Sequence, residues 1–173
     1  MCIRDRDILL EMGANIQIEN KREESGEPVG DLFVRAAQLR GISIGHSQVP
    51  KTIDEFPIFC VAAAMAKGKT TVTGAEELRV KETDRIKAMA IELKKLNVEI
   101  QETPDGFAIE GKSTIQGGYC QSYGDHRVAM ALAIAALPAH TPTQIENTSC
   151  IETSFPGFHD KLLELLTNSN WIL

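Results

Sequence analysis

The feature that most constrains the fold of this chain is an echo between two segments that start at positions 8 and 92, 84 residues apart. Residues 8–17 read ILLEMGANIQ, and residues 92–101 read ELKKLNVEIQ. Each segment predicts the end of a helix, then a turn, then a strand. A second extended segment follows each of them, at 31–35 and at 107–110. Repetition of a helix-plus-strands unit indicates internal pseudo-symmetry.

Helical and extended patterns alternate along the rest of the chain. Helices are predicted at 53–67, 83–96, 125–137 and 156–166. Strands are predicted at 15–19, 31–35, 70–73, 98–102, 107–110 and 143–146. The segment Pro104-Asp105-Gly106 separates two of these strands and predicts a hairpin turn. Helices that alternate with strands predict an α/β layered domain.

The composition is that of a globular protein with a net negative charge. A length of 173 residues and a hydrophobic content of 43% suit one domain with a real core. The net charge of −6 argues against nucleic-acid binding. No apolar stretch approaches the ~20 residues that span a bilayer, and no signal-peptide pattern begins the chain. We therefore expect a cytoplasmic protein that has neither nucleic acid nor membrane as a partner.

The four cysteines do not suggest a metal or redox site. They are Cys2, Cys60, Cys120 and Cys150. No pair of them has the spacing of metal ligands or of a redox motif. Cys60 lies in an apolar run and is expected to be a buried thiol.

Two short blocks crowd charges of both signs at the start of amphipathic helices. Residues 78–85 read LRVKETDR, and residues 123–130 read YGDHRVAM. Free N–H groups and the helix dipole make a helix start favourable for an anion. The cations of the two blocks are Lys81, Arg85, His126 and Arg127. The blocks therefore predict two sites for phosphate or carboxylate, with Glu82 and Asp125 placed to manage protons.

Each block also has an interpretation that needs no ligand. Lys81 and Arg85 are four residues apart and would share a helix face, where an anion would relieve their repulsion. Alternatively, they join Glu82 and Asp84 in a solvated network of salt bridges. The sequence pattern alone leaves these two interpretations open.

Two further aspartates could serve simply as helix caps. Asp125 is a good N-cap for the helix that follows it. His126 and Arg127 would then sit at the positive end of the helix dipole, where a bound anion would compensate them. Asp54 precedes an apolar helix and is either a cap or a functional carboxylate.

Both charged blocks closely resemble the two signature segments of the 5-enolpyruvylshikimate-3-phosphate synthase family, and residues 53–57, IDEFP, resemble a third. The resemblance runs from about residue 8 to the C-terminus. It implies an α/β fold, an inside-out α/β barrel domain built of repeated helix-plus-strands units. Members of the family are about twice this length, so the resemblance implies a C-terminal portion whose active site is completed by an N-terminal domain.

The resemblance also implies a reaction. This family transfers the enolpyruvyl group of phosphoenolpyruvate to the 5-hydroxyl of shikimate 3-phosphate, in aromatic amino-acid biosynthesis. The implied acid/base residues are Asp54, for the hydroxyl proton, and Glu82, for the methylene carbon. The implied substrate-binding residues are Lys81 for the phosphorylated shikimate, Arg85 and Arg127 for phosphoenolpyruvate, and His126 and Asp54 along the site. The chemistry needs no metal or organic cofactor, and none is suggested.

Two alternative functions stay open at this point. One is a related UDP-sugar enolpyruvyl transferase, which shares the fold. The other is a non-catalytic anion-binding half that assembles with a separate N-terminal half. If the chain is the C-terminal portion that the family resemblance implies, we expect it to be inactive alone.

The echo also suggests a boundary near the start of the chain. On the offset of 84, Asp5 and Arg6 correspond to Met89 and Ala90 of the apolar face. Charges at those positions would break that face. We therefore expect residues 1–6 to be a non-native segment and residues 7–173 to be the C-terminal enolpyruvyl transferase domain.

Overall fold

The structure is a computed structural model that describes residues 3–112 and 114–168. Its helices are α1 (Ile3–Glu11), α2 (Phe56–Met65), α3 (Arg85–Lys95), α4 (His126–Ala136) and α5 (Phe158–Asn168). Its strands are β1 (Asn15–Glu24), β2 (Glu27–Arg35), β3 (Ser43–Ile44), β4 (Gly68–Val72), β5 (Glu99–Thr103), β6 (Gly106–Gly111), β7 (Tyr119–Gln121) and β8 (Gln144–Glu146). Within these described residues, no helix is long and apolar enough to cross a membrane.

The repeat that the sequence predicts is present in the structure. α1 is followed by the antiparallel pair β1–β2, and α3 is followed by the antiparallel pair β5–β6. The residue that turns the chain out of each helix has a left-handed backbone: φ is +91° at Gly13 and +63° at Asn97. A left-handed residue is a common way to end a helix. These two positions are again 84 residues apart, since 97 minus 13 is 84.

The core lies between a four-stranded sheet and three helices. The strand order is β3-β4-β6-β5, with β3 parallel to β4 and the other pairs antiparallel. α2 and α3 pack on this sheet, and α4 packs against α2. The parallel pair β7–β8 lies beside α3 and α4. The starts of α3 and α4 are thereby held near the segment that precedes α2.

α2 is apolar on nearly every side and is buried accordingly. The ring of Phe56 packs edge-on against that of Phe107 in β6, with centroids 5.3 Å apart. Cys60 is buried, as its apolar surroundings predict, and burial raises the pKa of its thiol above the ordinary range. An unreactive, protonated thiol follows from that environment.

The ends of two helices differ from the prediction. The predicted helix 53–67 is divided into a 3-10 helix at Ile53–Glu55 and the helix α2, which ends before the extended residue Ala66. α3 begins at Arg85 because Asp84, with ψ of 91°, caps it: its carboxylate accepts a hydrogen bond from the backbone N–H of Lys87 at 2.9 Å. Strands β3 and β7 were not predicted, since their two and three residues show no periodicity of their own, whereas the three residues of β8 lie within the predicted segment 143–146.

The boundary predicted after residue 6 stays a prediction. Residues 1 and 2 lie outside the described residues, and residues 3–6 form the first part of α1. The Arg6 guanidinium contacts the carboxylate of its neighbour Asp7 at 3.0 Å.

The predicted hairpin turn is confirmed, and its aspartate ties it to a neighbouring loop. One carboxylate oxygen of Asp105 accepts a hydrogen bond from the backbone N–H of Gly74 at 2.8 Å, and the other accepts from the Thr103 hydroxyl at 3.3 Å. The pKa of Asp105 is lowered from its ordinary value, mainly because the hydrogen bond from the Gly74 N–H stabilises the ionised carboxylate.

This lowered pKa predicts how the stability of the fold depends on pH. A group whose folded pKa is lowered stabilises the fold above its unfolded pKa of ~3.9 and loses that effect as pH falls through the folded value. We expect Asp105→Asn to reduce the free energy of unfolding at pH 7 and to have a much smaller effect at pH 2.5. Urea denaturation at both pH values measures this.

The matched control is Asp160→Asn, because the Asp160 side chain is 91% exposed on α5. Its effect should be small at both pH values. An Asp105→Asn effect of equal size at pH 2.5 and pH 7 would show that charge plays no part in this contact.

Candidate active site

The centre of the site is the guanidinium of Arg85, the first residue of α3. Its side chain is 1% exposed and contacts three carboxylates. Nε donates to Asp125 at 2.8 Å, Nη2 donates to Glu82 at 2.6 Å, and Nη1 lies 3.5 Å from Asp54. One buried cation thus joins both charged blocks and the segment before α2, which are far apart in the sequence.

Asp125 has two functions at once. Its Oδ1 accepts hydrogen bonds from the backbone N–H groups of Arg127, at 2.9 Å, and Val128, at 3.3 Å, so it is the N-cap of α4, as predicted. Its Oδ2 accepts from Arg85. The carboxylate is fully buried, and these charge-assisted bonds offset the cost of removing it from water.

A second arginine, Arg127, also contacts the segment before α2. Nη1 of Arg127 donates to the backbone carbonyl of Asp54 at 2.8 Å and to the carboxylate of Glu55 at 3.0 Å. The alternative that Asp54 is a helix cap is wrong. Among the described residues, neither the 3-10 helix that contains Asp54 nor α2 has a side-chain cap. The Asp54 carboxylate reaches Arg85 instead.

Lys81 and His126 lie outside this network of described contacts. Lys81 has an extended backbone and donates to Glu77 at 3.2 Å. The expectation that Lys81 shares a helix face with Arg85 is wrong, because the helix begins only after the cap at Asp84. The imidazole of His126, at the first position of α4, makes no hydrogen bond to any residue that the structure describes.

Sequence reasoning missed three charged residues that shape the site. Glu55 is a partner of Arg127. Arg79 donates to Asp84 at 2.7 Å and forms an ion pair with Glu102 at 2.9 Å, which fixes the cap of α3 against β5. Glu92 is wholly buried on α3. A signal for Glu92 existed: it stands next to the apolar face of α3, at the position where the echo has Ile8.

The site is rich in carboxylates as well as cations. The cations Lys81, Arg85 and Arg127 contact the carboxylates of Asp54, Glu55, Glu77, Glu82 and Asp125, three positive charges against five negative ones. The side chains of Asp54 and Glu82 are 57% and 51% exposed. Of the three carboxylates that contact Arg85, these two can therefore reach a substrate, and they are chemically suited to proton transfer.

The described residues include no group of three or more His, Cys, Asp or Glu side chains placed to hold a metal ion.

Two solved structures have the same fold. The EPSP synthase from Acinetobacter baumannii superimposes with a TM-score of 0.87 at 42% identity, over 91% of this chain and 37% of that chain. The enolpyruvyl transferase NikO from Streptomyces tendae gives a TM-score of 0.66 at 17% identity, over 96% of this chain and 35% of that chain. At that identity NikO shows the fold alone. The predicted α/β enolpyruvyl transferase fold is confirmed.

Two sequence relatives carry the same name. The 3-phosphoshikimate 1-carboxyvinyltransferase of Alkaliphilus metalliredigens is 49% identical over 156 residues, 90% of this chain and 37% of that protein. That of Alkalilimnicola ehrlichii is 54% identical over 152 residues, 88% and 34% respectively. The chain thus spans about a third of the length of the curated relatives it matches. The family model described as EPSP synthase (3-phosphoshikimate 1-carboxyvinyltransferase) matches residues 3–162. The chain therefore belongs to the EPSP synthase family.

Proposed function

We propose that this chain supplies phosphoenolpyruvate-binding and proton-transfer residues to a transferase that makes an enolpyruvyl ether of shikimate 3-phosphate. Family membership supports the proposal, since the relatives are named for this reaction. The observation that carries it is the buried guanidinium of Arg85, which gathers Asp54, Glu82 and Asp125 at one point. An acid, a base and a fixed cation are the groups that this chemistry requires.

The proposed addition step uses the two half-exposed carboxylates. The 5-hydroxyl oxygen attacks C2 of phosphoenolpyruvate and forms the new C–O bond, while its proton passes to Asp54. Glu82, which enters this step as the carboxylic acid, donates its proton to C3 as the double-bond electrons move there. In the elimination step that proton returns from C3 to Glu82, the double bond re-forms, and the C2–O bond to phosphate breaks. Phosphate leaves with that electron pair and takes up the proton held by Asp54.

The proposed anion contacts come from guanidinium groups whose present partners can exchange. Nη1 and Nη2 of Arg85 contact Asp54 and Glu82, which are half exposed, while Nε is bound to the buried Asp125. The planar donors of Arg85 and Arg127 match the oxygen spacing of a carboxylate or phosphate. Such an exchange keeps Arg85 in place while its outer edge binds substrate.

Lys81 is proposed to bind the phosphorylated shikimate. Its ion pair with Glu77 is weak, because the Glu77 side chain is 66% exposed and exposed pairs contribute roughly 0–1 kcal/mol. A phosphate group can therefore replace Glu77 at little cost. His126, next to Arg127 at the start of α4, is proposed to line the same site.

The charge balance supports a further domain as a partner. Five carboxylates against three cations leave this half of the site net negative, and both substrates are anions. We propose that additional cations and much of the shikimate pocket belong to the remaining two thirds of the length that the relatives have. The thiols of Cys60, Cys120 and Cys150 are free, which fits a reducing compartment such as the cytoplasm.

The first prediction of this proposal concerns the 173-residue chain by itself. We expect no measurable phosphate release from shikimate 3-phosphate plus phosphoenolpyruvate, because the additional cations and much of the shikimate pocket are proposed to lie outside this chain. A chimera in which this chain replaces the matching part of the Alkaliphilus metalliredigens relative is the positive control. Turnover by the chain alone within tenfold of a typical ~10 per second would contradict the proposal.

The second prediction separates binding from chemistry in that chimera. Arg127→Ala should mainly raise the KM for phosphoenolpyruvate, because a charge-assisted contact of roughly 1.5–3 kcal/mol is lost in both ground and transition states. Asp54→Asn should mainly lower kcat, by ~10²–10⁴, because the amide keeps the shape and removes the base. Steady-state kinetics with each substrate varied measures both.

Matched controls for these two variants lie on the hairpin β1–β2. Arg22 and Asp31 are 48% and 63% exposed there, so Arg22→Ala and Asp31→Asn should leave both constants unchanged. If Asp54→Asn kept the parental kcat, the base would have to be sought at Glu82 or in the rest of the protein.

A further inference from the structure

Glu92 on α3 is a wholly buried carboxylate with no place in the proposed chemistry. Its two oxygens accept four hydrogen bonds. Nζ of Lys95 donates to both oxygens at 2.9 Å, the backbone N–H of Gln121 donates at 3.0 Å, and the Tyr123 hydroxyl donates at 2.6 Å. The charge is therefore well compensated, and the carboxylate links α3 to both ends of a short segment that leads into Asp125.

The internal repeat shows that the fold itself does not require a carboxylate at this position. On the offset of 84, Glu92 corresponds to Ile8 of α1, and both residues are buried. The first unit thus meets the same structural need with an apolar side chain. A buried charge at a position where the other unit has isoleucine departs from the apolar pattern of a buried helix face, and departures of this kind concentrate at functional sites.

The segment that Glu92 holds has a strained backbone. Tyr123 is left-handed, with φ of +56°, and Gly124 follows with φ of +74°. A bulky residue in this region is uncommon and persists where surrounding contacts impose it. The Glu92 hydrogen bonds to Gln121 and Tyr123 are such contacts. The next residue along the chain is Asp125.

The hydroxyl of Tyr123 is a dependable donor. Burial, and then its hydrogen bond to Glu92, raise its pKa to about 12. It therefore stays protonated, and bound to Glu92, throughout the neutral range. The carboxylate in turn has Lys95 as its counter-ion at 2.9 Å.

We propose that Glu92 is a positioning residue that acts through the Tyr123-Gly124 turn. By holding that turn left-handed, Glu92 sets the direction of Asp125, whose carboxylate binds Arg85, and the start of α4, from which Arg127 reaches the Asp54 segment. The consequence for catalysis rests on the proposed function. The geometry itself can be measured without any turnover.

The experiment follows the Nε–H proton of Arg85 in the ¹⁵N-labelled chain by nuclear magnetic resonance. This proton is donated to Asp125 at 2.8 Å, so its exchange with water reports whether Asp125 is in place. The amide of Ile109 in the central strand β6 reports global unfolding, and the ratio of the two rates isolates the local effect. We expect Glu92→Gln and Tyr123→Phe each to raise that ratio about tenfold, the factor for one lost hydrogen bond of ordinary strength.

Two control variants make the same chemical changes elsewhere. Glu164→Gln breaks the exposed Lys161–Glu164 pair, which has the same three-residue spacing as Glu92 and Lys95. Tyr119→Phe removes the hydroxyl of a half-exposed tyrosine on β7. Neither should change the ratio.

An unchanged ratio in both Glu92→Gln and Tyr123→Phe would overturn the proposal and leave Glu92 as an anchor of α3 only. If Glu92→Gln does not fold, Tyr123→Phe decides alone, because it removes one hydroxyl and no charge. Failure of the proposed function would appear separately: the chimera would show no turnover, while exchange of the Arg85 Nε–H proton would stay at its parental rate.

Discussion

The pair between Arg85 and Asp125 is the interaction on which the rest of this site depends. Both side chains are almost completely buried, at 1% and 0% exposure, and their atoms are 2.8 Å apart. Loss of either partner would leave the other charge without its buried counter-ion, and breaking a buried pair typically costs about 3–5 kcal/mol. Buried pairs are weak contributors to net stability. The value of this pair lies in where it places the groups around it.

Helix caps connect that pair to the sequence. Asp84 and Asp125 each cap a helix, and each also binds an arginine, Arg79 in one case and Arg85 in the other. A single aspartate thus starts the helix and orients a cation at its positive end. The sequence suggested that a bound anion would offset Lys81, Arg85, His126 and Arg127, with a salt-bridge network as the alternative for the first two. In the structure, carboxylates of the chain itself contact Lys81, Arg85 and Arg127, which makes exchange between protein carboxylate and substrate anion central to the proposed function.

Much of the fold could be predicted from the sequence because its signals are local. The apolar spacing in α3 and α4, the turn at Asp105 and the echo between the two units each depend on a few neighbouring residues. β3 and β7 were missed because strands of two and three residues exist only through their partners. The start of α3 was missed because the cap at Asp84 had been read as part of a charged helix face.

Less of the site than of the fold could be predicted from the sequence. Family resemblance and charge patterns gave its main residues, whose catalytic roles remain proposals. Glu92 could not be assigned, because its partners Gln121 and Tyr123 lie about 30 positions further along the chain. The expectation that Lys81 shares a helix face with Arg85 was wrong for a different reason. Residue spacing describes a helix face only where a helix is present, and Lys81 has an extended backbone.

A double-mutant cycle between Arg85 and Asp125 tests the central claim most directly. Arg85→Met keeps the apolar stem, and Asp125→Asn keeps the helix cap, so the cycle isolates the charge pair. Free energies of unfolding for the parent, both single variants and the double variant give the coupling. We expect about 2 kcal/mol or more for this pair, and roughly 0–1 kcal/mol for the exposed pair Arg22–Glu24. A coupling below about 0.5 kcal/mol would contradict the account, because the site would then be held together by something other than the buried guanidinium.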